Sequence, residues 1–450
     1  MLPANPLPDN RPRQLTTAWW VAWLLLIGFF ALAFRWYYIG HAIVDTPIQG
    51  DAVQYHAYAW NLVNHGIFSQ SAPGSDIVVA DSFRDPGYPA FVAVWIAILG
   101  DFPAWYPGVL YTQAVLGALT VLLLLCAARR WLPDRWLIAA GIAMALWPHS
   151  VTITSYVLSE TLLSFLCALG IFFFSRTTGR RSAISATASG LAFGAAGLTN
   201  AVVLPFAPLL ALGLMRHKAF DRKVLIVLLA SALALPALWA VRNIQIPSSA
   251  SSSHRAIMNL VQGSWPEYHI SYYRKLVHHD PESVLMQQKI DDEYQNFRAD
   301  PMHGATKMAA RMAQQPLHYL GWYLRKPALL WGWSIRIGEG DIYVFQTPYS
   351  PFKENATLRL LVSLCHAFNP LLLILMVAGC VLTFLRRALM PPGALGVAAL
   401  LFLVTLVYGI LQSEPRYSIP YRGEEILLAT FGMQATASWL AARRRQAKAA

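Results

Sequence analysis

Four residues of this 450-residue chain have the types needed to act together on a phosphate ester: Asp51, Arg84, Glu160 and Arg416. Asp51 opens the long polar stretch GDAVQYHAYAWNLVNHGIFSQSAPGSDIVVADSFRDPGYP at 50–89, and Arg84 lies near its close. Glu160 sits in TSYVLSETLLSFL and Arg416 in SEPRYSIPYRGEEILLA. A carboxylate can take the proton of an attacking hydroxyl. A guanidinium presents a planar fork of donors that matches phosphate oxygens. Near a membrane surface the combination suits chemistry on a lipid-borne phosphate.

Each residue also has an ordinary reading. Asp51 can be the N-cap of a helix that puts Ala52, Tyr55, Ala59, Leu62 and Val63 on one face and ends at Gly66. Glu160 suits the dipole at a helix N-terminus, although a carboxylate bordering hydrocarbon is costly without a partner or a wet cavity. Arg84 and Arg416 suit headgroup anchoring. Glu414, Arg422, Glu424 and Glu425 crowd the Arg416 loop and offer it an ion-pair network instead.

The elements that must hold these residues are membrane helices. The chain is 56% hydrophobic and 13% charged, against roughly 25% charged in soluble domains. Long uncharged runs predict an all-α polytopic membrane protein of about ten spans. The expected spans are 18–34, 107–128, 136–153, 161–175, 183–198, 200–215, 224–241, 360–385, 393–411 and 425–441. The apolar run 90–99 is short and reads as interfacial.

Most of the net charge of +12 lies in clusters such as Arg129-Arg130, Arg180-Arg181, Arg386-Arg387 and Arg443-Arg444-Arg445. They recur at alternate connections, which places both termini in the cytoplasm. The domain reading follows. Residues 1–16 are a cytoplasmic tail, and 17–241 an N-terminal membrane module with its first outer loop at 40–106. Residues 242–359 are a mixed outer segment, 360–441 the C-terminal membrane helices, and 442–450 a second tail. Every charge-rich motif then faces outward.

Several chemistries lack support. Cys126, Cys167, Cys365 and Cys380 fall in apolar runs without a CxxC pair and read as small core residues. The histidines are scattered, with only His278-His279 adjacent. Gly190, Gly194 and Gly197 follow no strand, so they read as close helix packing rather than a nucleotide loop. No soluble basic domain points to nucleic acid.

Taken in order, GDAVQYHAYAWNLVNHGIF, FRDPGYPAFVA, SETLLSFL, GLAFGAAGLTN, WAVRN and PRYSIP make the chain resemble the GT-C class of polytopic glycosyltransferases. These include the bacterial relatives of protein O-mannosyltransferases and the lipid A aminoarabinose transferases. The resemblance covers most of the chain.

It implies a GT-C fold in the bacterial cytoplasmic membrane, an active site facing outward, and a sugar donor carried on polyprenyl phosphate. Asp51 matches the first-loop catalytic carboxylate and Glu160 the second-loop acidic residue. Arg84 matches the basic residue ahead of the PGYP-like turn that faces the lipid phosphate and Arg416 the arginine of the late RY motif, and the chemistry places both on the donor phosphate. Tyr55, Tyr88 and Tyr417 are assigned to the substrate pocket. No cofactor is fixed, and a divalent metal, if used, would take Asp51 and Glu160. The partners implied are the lipid-linked sugar and membrane lipids, with a lipid, glycan or protein acceptor.

Two positions depart from the class. Asn200 stands where a basic residue is frequent, and Asp85, where proline is common, is placed to neutralise Arg84. The chemistry that fits is inverting transfer. The competing functions are a flippase or transporter of lipid-linked sugars and a non-catalytic envelope-assembly scaffold.

Overall fold

The computed structural model describes residues 15–246 and 251–449. The expected tail at 1–16 and the serine run at 248–253 extend outside them. Among the described residues the chain is helical, and its β-type pairings are isolated bridges.

The N-terminal module runs α1 (Thr17–His41), α2 (Asp51–His65), α3 (Gly87–Leu99), α4 (Phe102–Ala128), α5 (Asp134–Leu146), α6 (Pro148–Thr152), α7 (Glu160–Phe174), α8 (Ser182–Thr199), α9 (Phe206–Leu214) and α10 (Arg222–Ile244). Between α10 and the C-terminal helices lie α11 (Ser252–Gly263), α12 (Tyr268–His278), α13 (Pro281–Ala299), α14 (Pro301–Gln314), α15 (Pro316–Leu330) and the short α16 (Pro351–Glu354). The chain closes with α17 (Ala356–Leu385), α18 (Pro392–Ile410) and α19 (Arg422–Ala449).

Among the described residues five helices are long and apolar enough to cross a membrane: α1, α4, α10, α17 and α18. α5 and α6 with the turn that follows make a sixth candidate, bent by 54° where Trp147 meets Pro148. Proline forces such a break because it lacks the N–H that would continue the ladder.

The expected count of ten full spans is therefore not confirmed. The run at 200–215 divides into a 3₁₀ turn, Ala201–Val203, and the nine-residue α9. Asn200 accepts a hydrogen bond from Val202 N, and Pro205 precedes the new helix. α7 has 15 residues, about 22 Å of helix against a hydrocarbon core of about 30 Å.

α4 packs against α1 and α7, α7 against α8, and α8 against α10, while α17 pairs with α19, which leans on α5 and α4. The glycines of α8 explain its contact with α10. A Cβ on Gly190 would lie 2.6 Å from the Leu228 carbonyl, and one on Gly194 would lie 2.8 Å from the Ala232 carbonyl. Small residues here let two backbones touch.

A second apolar cluster lies under the first loop. It joins Ala52, Tyr55 and Ala59 of α2 to Tyr88 and Val92 of α3 and to Tyr156 and Phe345. The loop itself is tied by side chains. Asn61 donates to the Ser69 and Ser71 carbonyls, Asp81 accepts from Tyr58, Gln70 N and Phe83 N, and Arg242 at the end of α10 donates to the Asp81 and Phe68 carbonyls.

α11 to α14 have their own small core around Val261, Tyr268, Ile290 and Phe297. Two charged side chains fasten this cap. Arg255 of α11 pairs with Asp85 at 2.5 Å. Lys326 of α15 donates to the carbonyls of Gly263, Ile410 and Leu411, so it satisfies open carbonyls at the end of α18.

The packing of α8 gives a direct test. Gly190→Ala should cost about 1–3 kcal/mol by overpacking and lower the thermal midpoint of the purified protein. Gly213→Ala, with nothing within 4 Å of its Cβ, serves as the control and should leave the midpoint unchanged or raise it. Equal midpoints for the two variants would contradict the close α8–α10 contact.

Candidate active site

Asp51 is the first residue of α2, not its N-cap. That position belongs to Gly50, whose φ of +54° is a conformation that glycine adopts without strain. The Asp51 side chain makes no capping bond and both its oxygens reach guanidiniums. Oδ1 accepts from Arg84 Nη2 at 2.6 Å, and Oδ2 accepts from Arg416 Nη2 at 2.5 Å.

Arg84 also donates from Nε to Gln54 Oε1 at 2.5 Å, one turn along α2. Arg416 also donates from Nε to Glu160 Oε1 at 2.6 Å. The four residues singled out by sequence therefore form one alternating cluster drawn from four separate parts of the chain.

Local structure fixes each partner. Glu160 is the first residue of α7, where the helix dipole favours a carboxylate. Arg416 sits in the 3₁₀ turn Pro415–Tyr421 and is held at its own N–H by Glu414 Oε2, whose other oxygen accepts from Arg336 N. Arg84 precedes a tight junction. A Cβ on Gly87 would lie 2.9 Å from the Leu198 carbonyl, so only glycine lets α3 start against the end of α8.

The electrostatics follow from this geometry. Burial alone would push the Asp51 carboxyl up, but Arg84 and Arg416 together hold it well below the usual carboxylate range. The same contacts raise both guanidiniums despite burial. Asp51 keeps 28% of its side chain exposed, against 7% for Glu160, so it is the acid open to an incoming molecule.

Asp85 does not neutralise Arg84 by contact. It pairs with Arg255 and accepts from Ala201 N at 3.2 Å. Arg422 pairs with Glu425 rather than joining Arg416. Tyr55 lies beneath Arg84, whose guanidinium carbon is 5.2 Å from the ring centroid. Tyr417 stacks on Tyr408 and donates to Gln412. Tyr88 is fully buried behind Tyr55, and its hydroxyl donates to Gln113.

For a metal the donor set fits poorly. Arg416 bridges the Asp51 and Glu160 carboxylates, so a cation shared by them would have to displace its guanidinium. No group of three or more His, Cys, Asp and Glu able to hold a metal occurs among the described residues.

Sequence reasoning missed Gln54, Arg255, Tyr268 and Tyr272. Gln54 was within reach, because i and i+3 share a helix face. The other three lie in α11 and α12, where no local pattern marks them. Burial pushes both tyrosine hydroxyls up, and the Asp51 charge raises each further, so α12 lies within reach of that charge.

No family model matches the sequence, and no curated protein matches it. Solved structures do. The oligosaccharyltransferase of Archaeoglobus fulgidus, in its apo form, matches over 96% of this chain at 12% identity and a TM-score of 0.52. The same enzyme with zinc and sulfate matches over 93% at 12% identity and 0.51. The chain has the GT-C fold. It spans about half the length of that oligosaccharyltransferase, 52% and 49% in the two structures. ArnT of Cupriavidus metallidurans bound to undecaprenyl phosphate aligns over 93% of this chain and 78% of its own, at 14% identity and a TM-score of 0.36.

Glu414 yields a pH test. It is 1% exposed, and burial raises its carboxyl to about 7 against the backbone N–H groups and Arg416, which lower it. The unfolded carboxyl, near 4.5, loses its proton first. Between these values the native state binds more protons, so this group makes stability fall as pH rises from about 4.5 to about 7. Glu414→Gln removes that slope. Its thermal midpoint should gain on wild type between pH 5 and pH 8, and an unchanged gap would contradict the assignment.

Proposed function

We propose that the protein is an inverting glycosyltransferase. It moves a sugar from a polyprenyl-phosphate donor to a hydroxyl-bearing lipid, glycan or protein on the outer face of the cytoplasmic membrane. The observation that carries this reading is the double grip of Arg84 and Arg416 on a part-exposed Asp51.

Two forks converging on one carboxylate also suit one phosphate. A donor phosphate entering the cluster competes for both guanidiniums. Their withdrawal returns basicity to Asp51, which ion pairing otherwise keeps too weak to act as a base. Asp51 then takes the acceptor hydroxyl proton while the oxygen attacks the anomeric carbon from the side opposite the phosphate. The carbon–oxygen bond to phosphate breaks with its electron pair on the phosphate oxygen, where the arginines stabilise the charge. A single displacement inverts the centre and needs one base, unlike the paired carboxylates of retaining hydrolases.

Glu160 orients Arg416 and the acceptor. Tyr55 and Tyr417 line the pocket, with Tyr88 as the backing of Tyr55. The outer segment at 242–359 selects the acceptor, a role supported by α12 lying within reach of the Asp51 charge and by Arg255 on Asp85.

Asp51→Asn should lower transfer from a polyprenyl-phosphate sugar by about 10²-fold or more without loss of folded protein. Full activity would remove Asp51 from the mechanism. Arg84→Ala should raise the donor KM, and unchanged donor kinetics would remove it from phosphate binding. A wild-type protein that binds the lipid-linked sugar but never turns it over would favour transport or scaffolding instead.

A further inference from the structure

A second charged group lies behind the cluster. Arg35 sits in the last two turns of α1, with its side chain inside the bundle and 2% exposed. Its Nη1 donates to the Ala31 and Ala145 carbonyls at 3.0 and 3.3 Å. Its Nε has no hydrogen-bond partner, and no carboxylate lies within ion-pair distance among the described residues. Gly117 of α4 makes the room it occupies, since a Cβ there would lie 2.7 Å from Nε. A buried guanidinium left this way is costly unless something completes its hydrogen bonding.

The same is true of Glu160. Its Oε1 serves Arg416, while Oε2 is buried without a partner, as is the Thr161 hydroxyl. Arg35, Glu160 and Thr161 line one cavity together with Thr120, Ser150 and Ser164. The cavity leaves about 30 Å³ to the centres of water-sized molecules, enough for one or two waters. A metal ion is disfavoured there by Arg35 and a small anion by Glu160. Water answers both, accepting from Arg35 Nε and donating to Glu160 Oε2.

We propose that bound water in this cavity links Arg35 to Glu160, making Arg35 a positioning residue for the phosphate site. The charges then alternate in succession from Arg35 through Glu160, Arg416 and Asp51 to Arg84. When phosphate draws Arg416 away from Asp51, Glu160 must still hold Arg416 by Nε. Arg35 keeps Glu160 in place for that task. The inference rests on the phosphate-binding part of the proposed function.

The test is a double-mutant cycle on the full chain in lipid nanodiscs, with undecaprenyl phosphate as the probe. Arg35→Gln should weaken binding about five-fold or more in the wild-type background and add nothing in Arg416→Ala, because the effect passes through Arg416. Arg35→Lys, which keeps a cationic donor, should recover most of the loss. Equal effects in both backgrounds, or none in either, would overturn the proposal. If the wild type binds no probe, the proposed function fails first. The inference is then decided by a map that resolves solvent: water within hydrogen-bond reach of Arg35 Nε and Glu160 Oε2 sustains it, and a dry cavity ends it. That map also decides the matter should Arg35→Gln not fold.

Discussion

The shared grip of two arginines on one aspartate governs this structure. A carboxylate and two guanidiniums brought together at low exposure are tolerable only because they satisfy one another. Asp51 at the start of α2, Arg84 before α3 and Arg416 after α18 are separated by as many as 365 positions, yet they meet within 2.6 Å. The helices between them act as spacers. α7 adds Glu160 behind Arg416, and Glu414 fixes the backbone of Arg416. Arg84 and Glu160 each have one ion-pair partner in this cluster, whereas Asp51 and Arg416 each have two.

The arrangement also explains how a strong ion pair can serve a reactive site. A carboxylate held well below its ordinary range stays ionised but is a weak base. A phosphate provides the oxygens that the arginines can take in exchange. In the proposed mechanism the resting cluster is a guarded form of the base, and phosphate binding removes the guard. The cap of α11 to α14 is fastened beside this point by Arg255 on Asp85, so the first loop and α11 meet where the chemistry is proposed.

Much of this was legible in the sequence, for physical reasons. A membrane leaves few tolerable positions for charge, so Asp51, Arg84, Glu160 and Arg416 stood out against apolar runs. The helix from Asp51 to Gly66 followed from its apolar face and its glycine stop. Gly190 and Gly194 read correctly as packing residues because no strand precedes them. The count of ten spans is not confirmed, since hydropathy cannot tell a crossing helix from a short apolar one such as α7 or α9, nor see the bend at Trp147-Pro148. The pairing of Asp85 with Arg255 depends on a contact across 170 positions, which no local pattern encodes.

The most direct measurement is a structure of the protein in lipid nanodiscs with a polyprenyl phosphate bound. The account predicts the phosphate oxygens on Arg84 and Arg416, with the Asp51 carboxylate released from at least one of them and facing the acceptor side. A phosphate bound elsewhere, with Asp51 still paired to both arginines, would contradict it.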